Sequence, residues 1–226
     1  MISRDPQEPS LLDMEKRIEW DRMKIKTRIA ITGRPGVGKT TLIERALERI
    51  PLCAGGMVTK EIRKCGHRIG FSVINIATGQ QGILADLHSG KGPKVGKYRV
   101  NLTDLEEVGI AAIQHAIREK ELVVIDEIAP MELCSPAFIP TIEAALASSK
   151  SLLISTHARA NHPLVHCIRQ ELELFRVKLG NRDTLAHVIA QAFDPSINQY
   201  NHPADGRHAK RSQRVSLQDL SKSRPR

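Results

Sequence analysis

The fold of this chain is decided by eight consecutive residues, Gly33-Arg34-Pro35-Gly36-Val37-Gly38-Lys39-Thr40. They match the pattern G-x-x-x-x-G-K-[ST] without a gap and are called the phosphate loop below. Its three glycines allow the backbone to curl until the N–H groups point inward, where they can bind phosphate oxygens. A β-like run at 25–32 precedes the loop and an amphipathic segment at 41–50 follows it. The sequence therefore predicts a phosphate-binding turn between a strand and a helix.

Two side chains at the end of the phosphate loop suit the chemistry of a bound nucleoside triphosphate. Lys39 is predicted to bridge the β- and γ-phosphates, and the Thr40 hydroxyl is predicted to ligate Mg²⁺. The helix that starts near Lys39 adds the positive end of its dipole to the same anion site. A chance glycine-rich turn is the alternative, and the flanking strand and helix argue against it. We therefore expect all eight residues to contact the nucleotide.

A pair of acids farther along the chain completes the predicted site. Leu122–Ile125 is a short apolar run typical of a buried parallel strand, and Asp126 and Glu127 follow it directly. Such a strand places its acids at the carboxyl edge of the sheet, where the phosphate loop also lies. We expect Asp126 to hold Mg²⁺ through a water molecule and Glu127 to orient and polarise the attacking water. Surface acids that merely end a strand are the alternative.

The order of helical and β-like segments predicts an α/β fold with a mostly parallel sheet covered on both faces. Short β-branched runs between 55 and 100 are separated by glycine-containing turns, which indicates an antiparallel hairpin insertion. A Glu directly after the magnesium Asp further predicts an extra strand between the strands that carry the two motifs. The predicted domains are a helical extension at 1–24, a nucleotide-binding domain at 25–194 and a basic, disordered tail at 195–226.

Composition limits the cellular setting and the partners. No apolar run approaches the roughly 18 residues that span a bilayer, and no secretory signal starts the chain. The four cysteines stand at irregular spacings, as in reduced cytosolic proteins, so we expect a cytoplasmic monomer without membrane contact. The net charge is +9, with seven Lys or Arg and two Asp in the tail. A solvated tail is the simpler interpretation, and a nucleic-acid contact through it is the alternative.

Several further blocks resemble one family, the small nucleoside-triphosphatases typified by thermophilic archaeal and bacterial enzymes and the human cancer-related nucleoside-triphosphatase. The resemblance covers about 26–193 and rests, besides the phosphate loop, on Gly56-Met57-Val58-Thr59-Lys60-Glu61-Ile62-Arg63, Arg68-Ile69-Gly70-Phe71, Val95-Gly96-Lys97-Tyr98-Arg99-Val100, Val124-Ile125-Asp126-Glu127-Ile128, Met131-Glu132-Leu133 and Asn181-Arg182. It implies a RecA-like domain that hydrolyses ATP, GTP and other nucleoside triphosphates to diphosphate and phosphate.

The resemblance also implies where the nucleotide contacts lie. They are expected in the phosphate loop and along one strand region, Leu122, Val123, Val124, Ile125, Asp126, Glu127, Ile128 and Ala129. The chain departs from the family pattern at Ala129 and Pro130, where the family usually has Gly-Lys, so any role for that Lys is lost. Neither departure changes the predicted catalytic residues, Lys39 and Glu127, or the predicted metal ligands, Thr40 and Asp126.

Weaker signals leave alternatives open. An arginine could neutralise charge on the γ-phosphate; the candidates are Arg34, Arg63, Arg68, Arg159 and Arg182, of which Arg159 and Arg182 lead. Asn181-Arg182-Asp183 could touch the base or ribose, or could form a turn or a helix N-cap. His157, His162, His166 and Cys167 are interpreted as ordinary side chains, with a zinc site as the alternative.

The main hypothesis is therefore a Mg²⁺-dependent nucleoside triphosphatase. A nucleotide or small-molecule kinase is one alternative, although no arginine-rich lid is evident in the sequence. A nucleotide-dependent switch that binds nucleic acid is the other, and the basic tail is its only support.

Overall fold

The computed structural model of this protein describes residues 26–88 and 91–194. The strands are β1 Arg28–Gly33, β2 Ala54–Lys64, β3 His67–Asn75, β4 Gln81–Asp86, β5 Lys94–Val95, β6 Tyr98–Val100, β7 Leu122–Ile128, β8 Ser151–His157 and β9 Glu173–Arg176. The helices are α1 Lys39–Leu47, α2 Leu102–Asp104, α3 Ala111–Glu119, α4 Phe138–Ala147, α5 Pro163–Glu171 and α6 Arg182–Ala192. A π-helical turn (Leu105–Ile110) joins α2 to α3, and a 3₁₀ turn (Glu132–Cys134) follows β7. The predicted N-terminal helix and basic tail lie outside the described residues, so both remain predictions.

The strands form one nine-stranded sheet in the order β5-β6-β4-β3-β2-β7-β8-β1-β9. The pairs β2–β7, β7–β8, β8–β1 and β1–β9 are parallel, whereas β3 to β6 pair antiparallel with their neighbours. This confirms the predicted parallel α/β sheet with an antiparallel insertion. Strand β8 lies between β1 and β7, so the predicted extra strand between the two motifs is confirmed as well.

Two hydrophobic clusters cover the two faces of the sheet. On one face the helices α3, α4 and α5 pack with side chains such as Ile113, Phe138 and Ile168. On the other face α1 and α6 pack side by side, with Leu42 and Ile189 fully buried. Since α1 follows the phosphate loop directly, its burial fixes the loop against the carboxyl edge of β1. No helix within the described ranges is long and apolar enough to cross a membrane.

The insertion begins later than predicted. We expected it from Gly55, but the first residues of β2 pair in parallel with β7, in the register Ala54↔Leu122 to Met57↔Ile125. Gly56 has a φ of 115°, and a Cβ added there would overlap the carbonyl oxygen of Val124. The glycine therefore permits a close approach of two core strands. Antiparallel pairing starts at Met57, where β2 begins to pair with β3.

We expect Gly56→Ala to destabilise the fold by about 3 kcal/mol or more, because the new methyl group meets backbone in a conformation that side chains avoid. Urea unfolding followed by circular dichroism measures this loss. Gly79→Ala is the matched control, since Gly79 also has a positive φ but open space around it. Its expected cost is about 1 kcal/mol. Equal losses for the two variants would show that the close approach to β7 is unimportant.

Candidate active site

The phosphate loop connects β1 to α1 and holds its lysine inside. Gly36 and Gly38 have φ values of 73° and 93°, as the predicted curled backbone requires. The side chain of Lys39 is buried, and its Nζ lies 3.4 Å from the carbonyl oxygen of Gly33. The same Nζ lies 3.2 Å from Oε1 of Glu127, an ion pair that lacks hydrogen-bond angles. The structure therefore brings together the lysine and the glutamate that the sequence assigned to catalysis.

Asp126 is fully buried at the carboxyl edge of the sheet, where two hydroxyl groups hold its carboxylate. The Thr40 hydroxyl donates to Oδ2 at 2.5 Å. The Ser155 hydroxyl donates to Oδ1. Burial raises the pKa of Asp126 to about 6, although both hydroxyl contacts and Lys39 act in the opposite direction. The carboxylate is therefore desolvated and oriented before any ligand binds.

Glu127 is half-buried and points toward the phosphate loop. Burial raises its pKa, and the positive charge of Lys39 opposes that rise. The pairing of β7 with β8 shifts register between Ile125 and Ile128, which carries both acids out of the regular ladder. A partly desolvated carboxylate at this position has the raised proton affinity that a general base needs near neutral pH.

Strand β8 contributes Ser155, which sequence reasoning missed, and His157, which it had interpreted as an ordinary side chain. Ser155 holds Asp126, and His157 pairs in register with Gly33, the first residue of the phosphate loop. Burial lowers the pKa of His157, and the nearby positive charges of Lys39, Arg159 and Arg169 lower it further. The available signal was the polar end of an apolar strand, the pattern that identified Asp126.

The nucleotide contacts predicted along β7 stay a prediction, and the structure shows how these residues are packed. Leu122, Val123, Val124, Ile125 and Ile128 are completely buried in the two hydrophobic clusters, so their side chains support the acids and do not face the phosphate loop. From this range, Asp126 contacts Thr40 of the loop and Glu127 contacts Lys39.

The candidate arginines separate into two groups. Arg63 and Arg68 form ion pairs with Glu61, and Arg68 also donates to the Tyr98 hydroxyl at 3.0 Å. Arg63 lies on β2 and Arg68 on β3, in the antiparallel insertion. Arg182 instead lies against the phosphate loop, since a Cβ added to Gly38 would be 2.8 Å from its Cδ. Arg34 is an exposed residue of the loop itself, and the exposed Arg159 follows β8, whose last residue His157 pairs in register with Gly33.

Asn181 and His162 have structural roles. The Asn181 side chain accepts a hydrogen bond from the Lys178 N–H at 2.7 Å and donates to the Arg176 carbonyl at 3.0 Å. It therefore closes a turn, which was one of its two predicted roles. His162 caps α5 by accepting from the Leu164 N–H. Across residues 26–88 and 91–194, no three His, Cys, Asp or Glu side chains are grouped to hold a metal ion by themselves.

Comparison with known proteins finds named relatives of this chain. A family model described as NTPase matches residues 28–190. The chain is 46% identical to the nucleoside-triphosphatase THEP1 of Methanosarcina acetivorans over 74% of this chain and 96% of that protein. The crystal structure of THEP1 from Aquifex aeolicus superposes with a TM-score of 0.66 at 33% identity, covering 72% of this chain and 96% of that one. The solution structure of a human cancer-related nucleoside triphosphatase gives a TM-score of 0.61 at 31% identity, over 78% and 100%.

A third carboxyl group lies behind the acid pair. Glu132, in the 3₁₀ turn after β7, is buried, and none of the described residues hydrogen-bonds its Oε2. Burial raises the pKa of Glu132 well above its ordinary value, and the charges of Glu127 and Asp126 raise it further. Because the folded-state pKa exceeds that of the unfolded chain, ionisation of Glu132 opposes folding.

We expect the stability advantage of Glu132→Gln over the native protein to grow with pH. The native carboxyl group contributes its full stability below its ordinary pKa and loses it as pH rises through the folded-state pKa. The amide cannot ionise, so the variant should match the native protein near pH 4 and exceed its unfolding free energy at pH 8 by on the order of 1 kcal/mol. Denaturant titrations across this pH range measure the difference. Glu107→Gln, on an exposed position of the π-helical turn, should show no such trend.

Proposed function

This chain belongs to the NTPase family, and from that premise we propose that it is a Mg²⁺-dependent nucleoside triphosphatase in which Glu127 orients the attacking water. We further propose that ATP, GTP and other nucleoside triphosphates are its substrates. The convergence of two motifs far apart in the sequence carries the proposal. Lys39 Nζ lies 3.2 Å from Glu127 Oε1, and Thr40 Oγ1 lies 2.5 Å from Asp126 Oδ2.

The residues at the mouth of the phosphate loop fit a magnesium ion. Mg²⁺ in nucleotide sites takes one or two protein oxygens together with phosphate oxygens and water molecules. Thr40 Oγ1 and Asp126 Oδ2 are such oxygens, and they meet beside the loop that would hold the phosphates. The buried Asp126 carboxylate would also gain from a nearby positive charge. A bound Mg²⁺ would neutralise charge on the β- and γ-phosphate oxygens.

The remaining chemistry follows from the residues themselves. Glu127 accepts a proton from the water that attacks the γ-phosphorus, while the bond between that phosphorus and the β–γ bridging oxygen breaks. The diphosphate leaves, and inorganic phosphate is the second product. Lys39 donates to the β- and γ-phosphate oxygens. A bound triphosphate therefore competes with Glu127 for Lys39, which releases the carboxylate toward the water.

The proposal also predicts modest turnover. Arg63 and Arg68 are held by Glu61 and Tyr98, so they are not available to the γ-phosphate. The nearby Arg182 makes an ion pair with Asp183. P-loop proteins without an inserted arginine hydrolyse slowly, and we expect the same of this enzyme.

The direct test measures phosphate released from each common nucleoside triphosphate, with Mg²⁺ and with excess chelator. We expect release from several triphosphates without any acceptor, and loss of that release when the chelator removes Mg²⁺. Nucleoside diphosphate that forms only when an acceptor is added, with the phosphoryl group transferred to that acceptor, would indicate a kinase instead. Unchanged release in the chelator would contradict the role of Thr40 and Asp126.

Glu127→Gln should keep nucleotide affinity within about threefold and lower kcat by about 100-fold or more, because the amide cannot accept the proton. Lys39→Ala should instead abolish tight binding, since the main phosphate cation is lost. Binding is measured by calorimetry and turnover by phosphate release. Glu119→Gln, on the exposed surface of α3, is the matched control and should behave like the native enzyme. Native turnover in Glu127→Gln would show that another group is the base.

A further inference from the structure

Strand β8 lies between the strand that leads into the phosphate loop and the strand that carries the acids. Side chains two residues apart on a strand lie on the same face of the sheet. Leu153 packs in the hydrophobic cluster formed with α1 and α6. Ser155 comes next in this series and contacts Asp126. The His157 side chain follows at the end of β8, and it therefore lies on the same face as α1 and the acids.

Two observations place His157 beside the predicted phosphates. It pairs in register with Gly33, the first residue of the phosphate loop. Burial and the positive charge of Lys39 both lower its pKa, and the effect of a charge falls with distance, so the imidazole lies within reach of this lysine's charge. Since β8 also neighbours β7, the strand of Glu127, the end of β8 lies where the γ-phosphate is expected.

The main chain determines which nitrogen of His157 carries the proton. The Arg159 N–H lies 3.2 Å from Nδ1, and since a backbone amide only donates, Nδ1 is the unprotonated acceptor. The ring is then neutral and carries its proton on Nε2. Burial and the positive charges of Lys39, Arg159 and Arg169 favour the same neutral form, because they lower the pKa of the imidazole.

The Nε2–H group of His157 is held in place and has no protein acceptor. Within residues 26–88 and 91–194, the hydrogen bonds of His157 outside the sheet go to its Nδ1 and to its carbonyl oxygen. Arg169 donates to that carbonyl at 2.7 Å, which holds the main chain, while the bond from Arg159 to Nδ1 holds the ring. A fixed donor beside a phosphate site binds an anionic oxygen at a low ordering cost.

The proposed reaction leaves room for one more donor at the γ-phosphate. Besides the bridging oxygen this phosphate has three oxygens, over which charge is spread in the transition state. Lys39 donates to one of them, and a Mg²⁺ ion held by Thr40 and Asp126 would neutralise another. A neutral N–H donor suits the third oxygen, and its lack of positive charge agrees with the slow turnover that we expect.

We propose that the Nε2–H group of His157 donates a hydrogen bond to a γ-phosphate oxygen of the bound triphosphate. This rests on the proposed triphosphatase function and adds a residue that contacts the transferred phosphoryl group. The hydrogen bond strengthens as the bond to the β–γ bridging oxygen breaks, because charge on the γ-phosphate oxygens is then best stabilised by a fixed donor. The diphosphate product has no γ-phosphate, so His157 contacts the substrate but not that product.

Two substitutions separate the Nε2–H donor from the turn that His157 forms. The amide oxygen of Asn can still accept from the Arg159 N–H, so His157→Asn keeps the turn and removes the donor. We expect its kcat/KM for ATP to fall by about 10- to 100-fold, while its calorimetric affinity for ADP changes by less than about twofold. His157→Gln extends an amide N–H group toward the position of Nε2 and should recover part of this loss.

His162→Asn is the matched control, because Nδ1 of His162 accepts from the Leu164 N–H at 3.2 Å in the same kind of turn. It should keep native kcat/KM, and urea unfolding checks that every variant is folded. Native kcat/KM in His157→Asn, an equal loss of ADP affinity, or a Gln variant no more active than the Asn variant would each overturn the proposal. The proposed function fails separately: the native enzyme would then release no phosphate from any nucleoside triphosphate.

Discussion

A buried carboxylate held by two hydroxyl groups is the interaction on which the rest of the site depends. Asp126 arrives from β7, Ser155 from β8 and Thr40 from the start of α1, and all three meet at one edge of the sheet. Isolated burial of a carboxylate would be very costly, so the hydroxyl contacts are required for the fold as well as for the site. They hold Thr40, the last residue of the phosphate loop, against the carboxyl end of β7. The lysine and glutamate then come within ion-pair distance as a consequence.

The order of the strands places different chemical groups on the two sides of β1. The acids lie on one side of β1, and a cleft lined by Val37, Val177 and Lys178 lies next to β9. In the proposed reaction, the γ-phosphate of a triphosphate bound in the loop would face Glu127, and the rest of the molecule would extend away from β7. Repulsion between the substrate and the acids would then be limited to the γ-phosphate.

Much of the site was predictable because its chemistry is contiguous in the sequence. The phosphate loop is one uninterrupted stretch, and Asp126 and Glu127 directly follow a short apolar run. The extra strand between the motifs also followed from the Glu after the Asp. Ser155 was missed because its role depends on the pairing of β8 with β7. Local sequence patterns do not show which strands pair. The insertion was predicted to begin too early, at Gly55, because local patterns do not show that the first residues of β2 pair in parallel with β7.

The sequence by itself determined the chemical groups of the site and the type of fold. Both can be inferred from the spacing of residues within motifs, from the residues at strand ends and from the positions of glycines. The tertiary structure decided which of those groups meet. The hydroxyl contacts of Asp126 and the burial of Glu132 depend on contacts between residues far apart along the chain. Such contacts are set by sheet order and by the packing of helices on its two faces. Hydrogen bonds need donor and acceptor atoms about 3 Å apart, so these bonds form only once that packing has brought the groups together.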